Sequence, residues 1–64
     1  MKEFLVIFFD IAGDVCGSFR TDAMSVDAIR WSADFHDMLS FVKSDIVKVL
    51  FVDLERASYK MIEL

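Results

Sequence analysis

The spacing of apolar residues changes from segment to segment along this 64-residue chain. These changes mark the predicted strands and the predicted helix. Nearly unbroken runs of β-branched and aromatic residues predict strands at residues 4–11 and 46–54. Alternating apolar residues predict two shorter strands, one at residues 18–23 with a start near Val15 and one at residues 59–64. Both glycines fall near the predicted turn between the first two strands. The strands are therefore expected to form two hairpins.

The segment between the hairpins has the spacing of an α-helix. Ser25 is a suitable N-cap because its hydroxyl can accept a hydrogen bond from a backbone N–H of the first turn. Asp27 complements the helix dipole there, and the helix is expected to end between Asp37 and Lys43. The prediction is an α+β fold of order ββαββ, a single small domain over residues 1–64. Its antiparallel sheet has one helix packed on one face.

At 100° per residue, this helix carries two apolar stripes. The broad stripe consists of Met24, Ala28, Trp31, Phe35, Met38, Leu39 and Val42. The opposite stripe consists of Val26, Ile29 and Ala33. A sheet can bury only one of them, so the other must meet a second subunit or a different protein, or stay partly exposed to water. Periodicity leaves open whether Trp31 lies in the core or anchors an interface.

The first predicted strand also has more apolar surface than one helix can cover. Its run is apolar on both sides, which is typical of a central strand covered on both faces. The alternative is a strand with one face left for a partner. One helix can cover only one face of the sheet.

Composition narrows the classes of function. Apolar residues make up 56% of the chain and the net charge is −4, so a folded protein is expected and direct nucleic-acid binding is not. Cys16 is the one cysteine, which suits a reducing compartment. The apolar runs are shorter than the ~18 residues of a membrane span, and we expect a cytoplasmic protein.

Side chains that could support chemistry are scattered. His36 is the one imidazole, and a metal site would need further ligands. Asp34 and Asp37 could face one another on the helix, and Asp10 and Asp53 could approach across the sheet. A carboxylate pair for acid–base catalysis needs a concave, desolvated pocket, which a chain of this length hardly builds. We therefore expect no enzyme, no cofactor and no metal.

Three segments carry a resemblance to a known family. They are the opening strand FLVIFF, the helical Ile29-Arg30-Trp31 and the run DIVKVLFVD before the last strand. Through them the chain resembles the Dmd-like antitoxins of T-even-type phages, over most of its length and in the same order of elements. Those antitoxins neutralise bacterial RNase toxins of the RnlA/LsoA type.

The resemblance implies a host toxin endoribonuclease as partner, whose groove the chain would occupy to exclude RNA. The family's helical Trp contacts the toxin, and Trp31 matches it. A second family contact, an Asn after that Trp, falls near Ser40, although this chain contains no Asn. The resemblance thus makes the Trp31 stripe the working surface and leaves Val26, Ile29 and Ala33 to pack.

The leading hypothesis is a small phage-type antitoxin that binds its target without chemistry of its own. The predicted partner-binding residues are Trp31, Asp27, Arg30, Asp34, Phe35 and Ser40. The alternative is a self-assembling domain, a homodimer or larger ring, that could sequester a small ligand between subunits.

Overall fold

A computed structural model describes residues 1–42 and 46–64, with the backbone alone at residues 41 and 42. The elements in chain order are β1 (Lys2–Asp10), β2 (Val15–Ala23), α1 (Val26–Arg30), α2 (Ala33–Val42), β3 (Ile46–Asp53) and β4 (Ser58–Glu63). The four predicted strands are confirmed. The helical segment ends at Val42, within the predicted range of Asp37 to Lys43, and the side chain of Val42 lies outside the described residues.

The four strands form one antiparallel sheet in the order β2-β1-β3-β4. Each hairpin pairs its own two strands, and the hairpins join along β1 and β3. The first strand is therefore central, as its apolar run predicts. The edges of the sheet are β2 and β4, which carry more polar sequence.

The core lies between one face of the sheet and the two helices. Alternate residues of β1 and β3 enter it, because side chains on a strand point to opposite faces in turn. Phe35 of α2 packs there, with ring centroids 5.6 Å from Phe8 and 5.9 Å from Phe51. The buried apolar residues are Phe4, Val6, Phe8, Ala23, Ile29, Phe35, Ile46, Val49 and Phe51.

The prediction of one continuous helix is wrong, because the chain breaks between α1 and α2. Trp31 is the C-cap of α1, and Ser32 stands between the helices. The Ser32 hydroxyl donates to the Ile29 carbonyl at 2.7 Å and accepts from the Phe35 N–H at 3.2 Å. A serine that bonds the backbone on both sides ends one helix and caps the next. The order of elements is ββααββ.

The break explains the two apolar stripes. In one straight helix, positions 29 and 35 would point about 120° apart, and positions 31 and 35 would share a face. The new helical phase after Ser32 brings Ile29 and Phe35 into the same core and leaves Trp31 outside. Val26 packs against the core as predicted. Ala33 does not, because it begins α2 on the exposed side.

Asp10 and Asp53 hold the two hairpin turns. The Oδ1 atom of Asp10 accepts from the N–H groups of Ala12 and Asp14, both at 3.0 Å. Asp53 Oδ1 accepts from two backbone N–H groups of its own turn, at 3.0 and 3.1 Å. The antiparallel register places Asp53 opposite Phe4, at the other end of the sheet from Asp10. The expectation that these carboxylates approach each other is therefore wrong.

Candidate protein-binding surface

Trp31 is the largest side chain left in water at the helical layer, with 82% of its surface exposed. The short helix α1 holds it firmly by the backbone. The Ser25 hydroxyl accepts from the Ala28 N–H at 3.2 Å, which confirms the predicted N-cap, and the Trp31 N–H donates to the Asp27 carbonyl at 3.3 Å. A tryptophan fixed at its backbone with its indole in solvent loses little conformational freedom when a partner covers it.

The residues expected around Trp31 are exposed, with one exception. Asp27, Arg30, Asp34 and Ser40 all face solvent. Phe35 is only 4% exposed, because the helix break turns it into the core. It therefore cannot touch a partner, and we remove it from the predicted set. We call the remaining exposed positions, together with Asp37, the helix surface.

The helix surface is acidic. It carries the carboxylates of Asp27, Asp34 and Asp37 against the single guanidinium of Arg30. Within residues 1–42 and 46–64 the ion pairs lie elsewhere, at Lys2–Asp53 and Arg20–Glu3. Among the described residues, these three helical carboxylates have no cationic partner on the chain itself. Asp27 and Asp34 also lie in the first turns of their helices, where a negative charge interacts favourably with the helix dipole.

A groove of about 710 Å³ runs along the side of the helix surface, between α2 and the edge strand β2. The apolar side chains of Phe19 and Met38 contribute to it, and both also pack against the core. The other lining residues are Arg20, Asp34, Asp37 and Ser40. An apolar strip with carboxylates beside it suits an apolar side chain that carries or neighbours a positive charge.

The sequence does not place Phe19, Arg20 and Met38 at the candidate site. Phe19 belongs to the alternating pattern of β2, and Met38 lies on the broad stripe, but neither is among the predicted partner-binding residues. The groove arises from the packing of α2 beside an edge strand, and strand order is the signal that would reveal it. Asp34 and Asp37 are expected as neighbours from their spacing of three residues, and both line this groove.

The remaining candidates for chemistry lie apart from one another. His36 is exposed, with its ring edge-on to Phe35 at 6.1 Å. The half-buried thiol of Cys16 donates to the Phe8 carbonyl at 3.5 Å. In the part of the chain that the structure describes, no three His, Cys, Asp or Glu residues group closely enough to hold a metal ion.

Comparison with protein families, curated proteins and solved structures finds no match for this chain. Over the described ranges, neither helix has the length and apolar character needed to cross a membrane.

Proposed function

We propose that this chain is a small inhibitor protein that binds a partner protein stoichiometrically through the helix surface, with Trp31 as the anchor. The observation that carries the proposal is an 82% exposed tryptophan between two helices that send Ile29 and Phe35 into the core. Tryptophan is enriched at binding hot spots because it removes a large area from water when covered.

Charge indicates the kind of partner. Three exposed carboxylates and one exposed guanidinium on the helix surface favour a basic cleft, such as the cleft with which a ribonuclease holds RNA. The resemblance to Dmd-like phage antitoxins points to the same class of target, a toxin endoribonuclease of the RnlA/LsoA type. Such a partner places the chain in the host cytoplasm, where its free Cys16 would stay reduced.

The groove between α2 and β2 extends the proposed contact. When Trp31 is buried in the partner, an apolar side chain of the partner can enter beside Phe19 and Met38. A lysine or arginine next to that side chain would meet Asp34 or Asp37. Inhibition then needs no chemistry from this chain, since an occupied cleft cannot take up RNA. Asp10 and Asp53 already serve the turns, which fits a binding function.

The test combines binding and inhibition with a matched pair of variants. Purified chain is titrated into a toxin endoribonuclease of the RnlA/LsoA type, and both the dissociation constant and RNA cleavage are measured. Trp31→Ala is expected to weaken binding by at least about 30-fold, the loss typical of a hot-spot aromatic. Tyr59→Ala removes an aromatic side chain of similar exposure, 76%, from the other side of the sheet. It should change the affinity by less than about 3-fold.

Each step of the proposal can fail separately. If wild-type chain in stoichiometric excess leaves cleavage intact, the toxin assignment is wrong. If Trp31→Ala inhibits as well as wild type, the surface assignment is wrong. Binding should also weaken as salt rises, because screening reduces the attraction between an acidic surface and a basic cleft. Far-UV circular dichroism confirms that each variant is folded.

A further inference from the structure

The side of the sheet opposite the helices carries a continuous apolar surface, which we call the open face. Side chains along a strand point to opposite faces in turn, so the residues between the core residues of each strand lie on the open face. Its apolar members are Leu5, Ile7, Phe9, Leu50, Val52, Tyr59 and Met61. All seven are partly or largely exposed. The two helices of the described ranges use the other side, through Ile29 and Phe35.

The strand register joins these side chains into rows across the sheet. Leu5 on β1 stands opposite Val52 on β3, which in turn stands opposite Tyr59 on β4. The next row on the same face is Ile7, Leu50 and Met61. Two adjacent apolar rows over three strands form a patch of a kind that marks an interaction site.

We propose that the open face binds a second copy of this chain, so that two sheets stack face to face in a two-fold dimer. Stacked sheets lie about 10 Å apart, with their strands within about 30° of each other, and side chains of both inner faces fill the space between. The apolar rows would then form a second core, shared by the two copies. The area of the open face, its charge balance and the order of its strands each support a second copy as the partner.

The area of the open face suits a weak dimer. Strands of up to nine residues are about 30 Å long, and four strands about 4.8 Å apart make a sheet about 15 Å wide. The open face is therefore about 450 Å² on each copy, or about 900 Å² for the pair, the size of a weak association. A chain of only 64 residues buries little core by itself, so this added burial is a large gain.

Charge also favours a second copy. The chain has a net charge of −4, yet the open face is nearly balanced. Arg20 forms an ion pair with Glu3, and Lys48 stands opposite Glu63 on the neighbouring strand. Together with Asp22 on the edge, the face has three acids and two bases. Two helix surfaces would repel each other, whereas two open faces meet with little repulsion.

The strand order makes the open face match itself. A two-fold axis parallel to the strands, between β1 and β3, places β1 over β3 of the second copy and β2 over its β4. Leu5 and Ile7 then face Val52 and Leu50 across the interface. Arg20 on β2 comes over Tyr59, whose aromatic ring favours a guanidinium. Polar side chains of the edge strands, such as Asp22 and Glu63, remain at the rim, as is typical of protein interfaces.

The dimer is independent of the proposed inhibitor function. The open face and the helix surface lie on opposite sides of the sheet, so dimerisation leaves Trp31 of each copy uncovered, and the groove shares only Arg20 with the open face. Trp31→Ala therefore leaves the open face in place, whereas Tyr59→Ala changes the open face and leaves the helix surface in place.

The test is sedimentation velocity over micromolar to millimolar concentrations, with two matched methionine variants. Wild type should sediment at twice the chain mass of 7.4 kDa. Met61→Lys places a charge on the open face, at a residue that is 44% exposed, and should give the single-chain mass. Met24→Lys makes the same change at a residue that is 75% exposed in the connection between β2 and α1, and should remain a dimer.

Leu50→Lys, in the middle of the open face, gives a stronger second test, with circular dichroism to confirm folding. Wild type at the single-chain mass throughout the concentration range would overturn the proposal. A folded Met61→Lys or Leu50→Lys that still dimerises would overturn it too, as would the loss of the dimer in Met24→Lys. Sedimentation of wild type as a trimer or larger ring would contradict the two-fold arrangement.

Discussion

The helix break places Phe35 in the core and Trp31 in solvent. Replacing each of them by leucine and comparing the loss in free energy of unfolding tests this placement. The two aromatic residues are four positions apart, and in a straight helix they would share one face. In the structure, Phe35 is 4% exposed among the rings of Phe8 and Phe51, and Trp31 is 82% exposed. Phe35→Leu and Trp31→Leu should therefore have very different effects on the free energy of unfolding.

The magnitudes follow from burial. Phe35→Leu removes buried ring carbons and leaves a small cavity, a loss of about 1–2 kcal/mol. Trp31 keeps less than a fifth of its surface out of water. For a tryptophan of up to about 250 Å², that fraction is about 45 Å², or about 1 kcal/mol at 25 cal/mol/Å². Leucine retains part of this contact, so Trp31→Leu should cost no more than about 0.5 kcal/mol.

Urea unfolding followed by far-UV circular dichroism measures both variants on the same scale. Fluorescence is unsuitable because Trp31 is the only tryptophan. All samples are compared at one protein concentration, since association adds to apparent stability. Phe35→Leu should also lower Tm by about 4–16 °C, and Trp31→Leu by less than about 4 °C. Equal losses, or a larger loss for Trp31→Leu, would refute the separation of these residues by the break.

Two further predictions concern the turn between β3 and β4. Asp53→Ala should lower the free energy of unfolding by about 2–3 kcal/mol, because it removes the acceptor of two backbone N–H groups and the carboxylate near Lys2. Urea unfolding checks this, and a change below about 0.5 kcal/mol, the usual range at the surface, would contradict the role of Asp53. Ala57→Gly should raise stability by about 0.5–1 kcal/mol, because Ala57 has a φ of 56°, where a Cβ is unfavourable. A loss of stability in the same assay would show that this strain is absent.

The strands could be predicted from the sequence because they depend on local pattern. β-branched and aromatic residues alternate or run together where the sheet forms, and Ser25 has the residue type that an N-cap requires. The central position of β1 also follows from its continuous apolar run, although the described helices cover only one of its two faces.

The helix break and the pairing of the strands could not be predicted in the same way. Ser32 is compatible with a helix interior, and only its bonds to Ile29 and Phe35 show that it ends one helix and caps another. Periodicity therefore placed Phe35 beside Trp31. The spacing of apolar residues also does not give the order of strands in the sheet. For this reason the sequence does not predict the separation of Asp10 from Asp53 or the groove beside β2.

Because of the break at Ser32, residues close together in the sequence differ in how strongly folding constrains them. Phe35 can change little without loss of the core, whereas Trp31, Asp27 and Arg30 can change with little effect on folding. In the proposed inhibitor, substitutions at these exposed positions would alter what the helix surface recognises and leave the scaffold intact. Such a chain could then follow a changing target through single substitutions, each tolerated by the fold, over the course of its evolution.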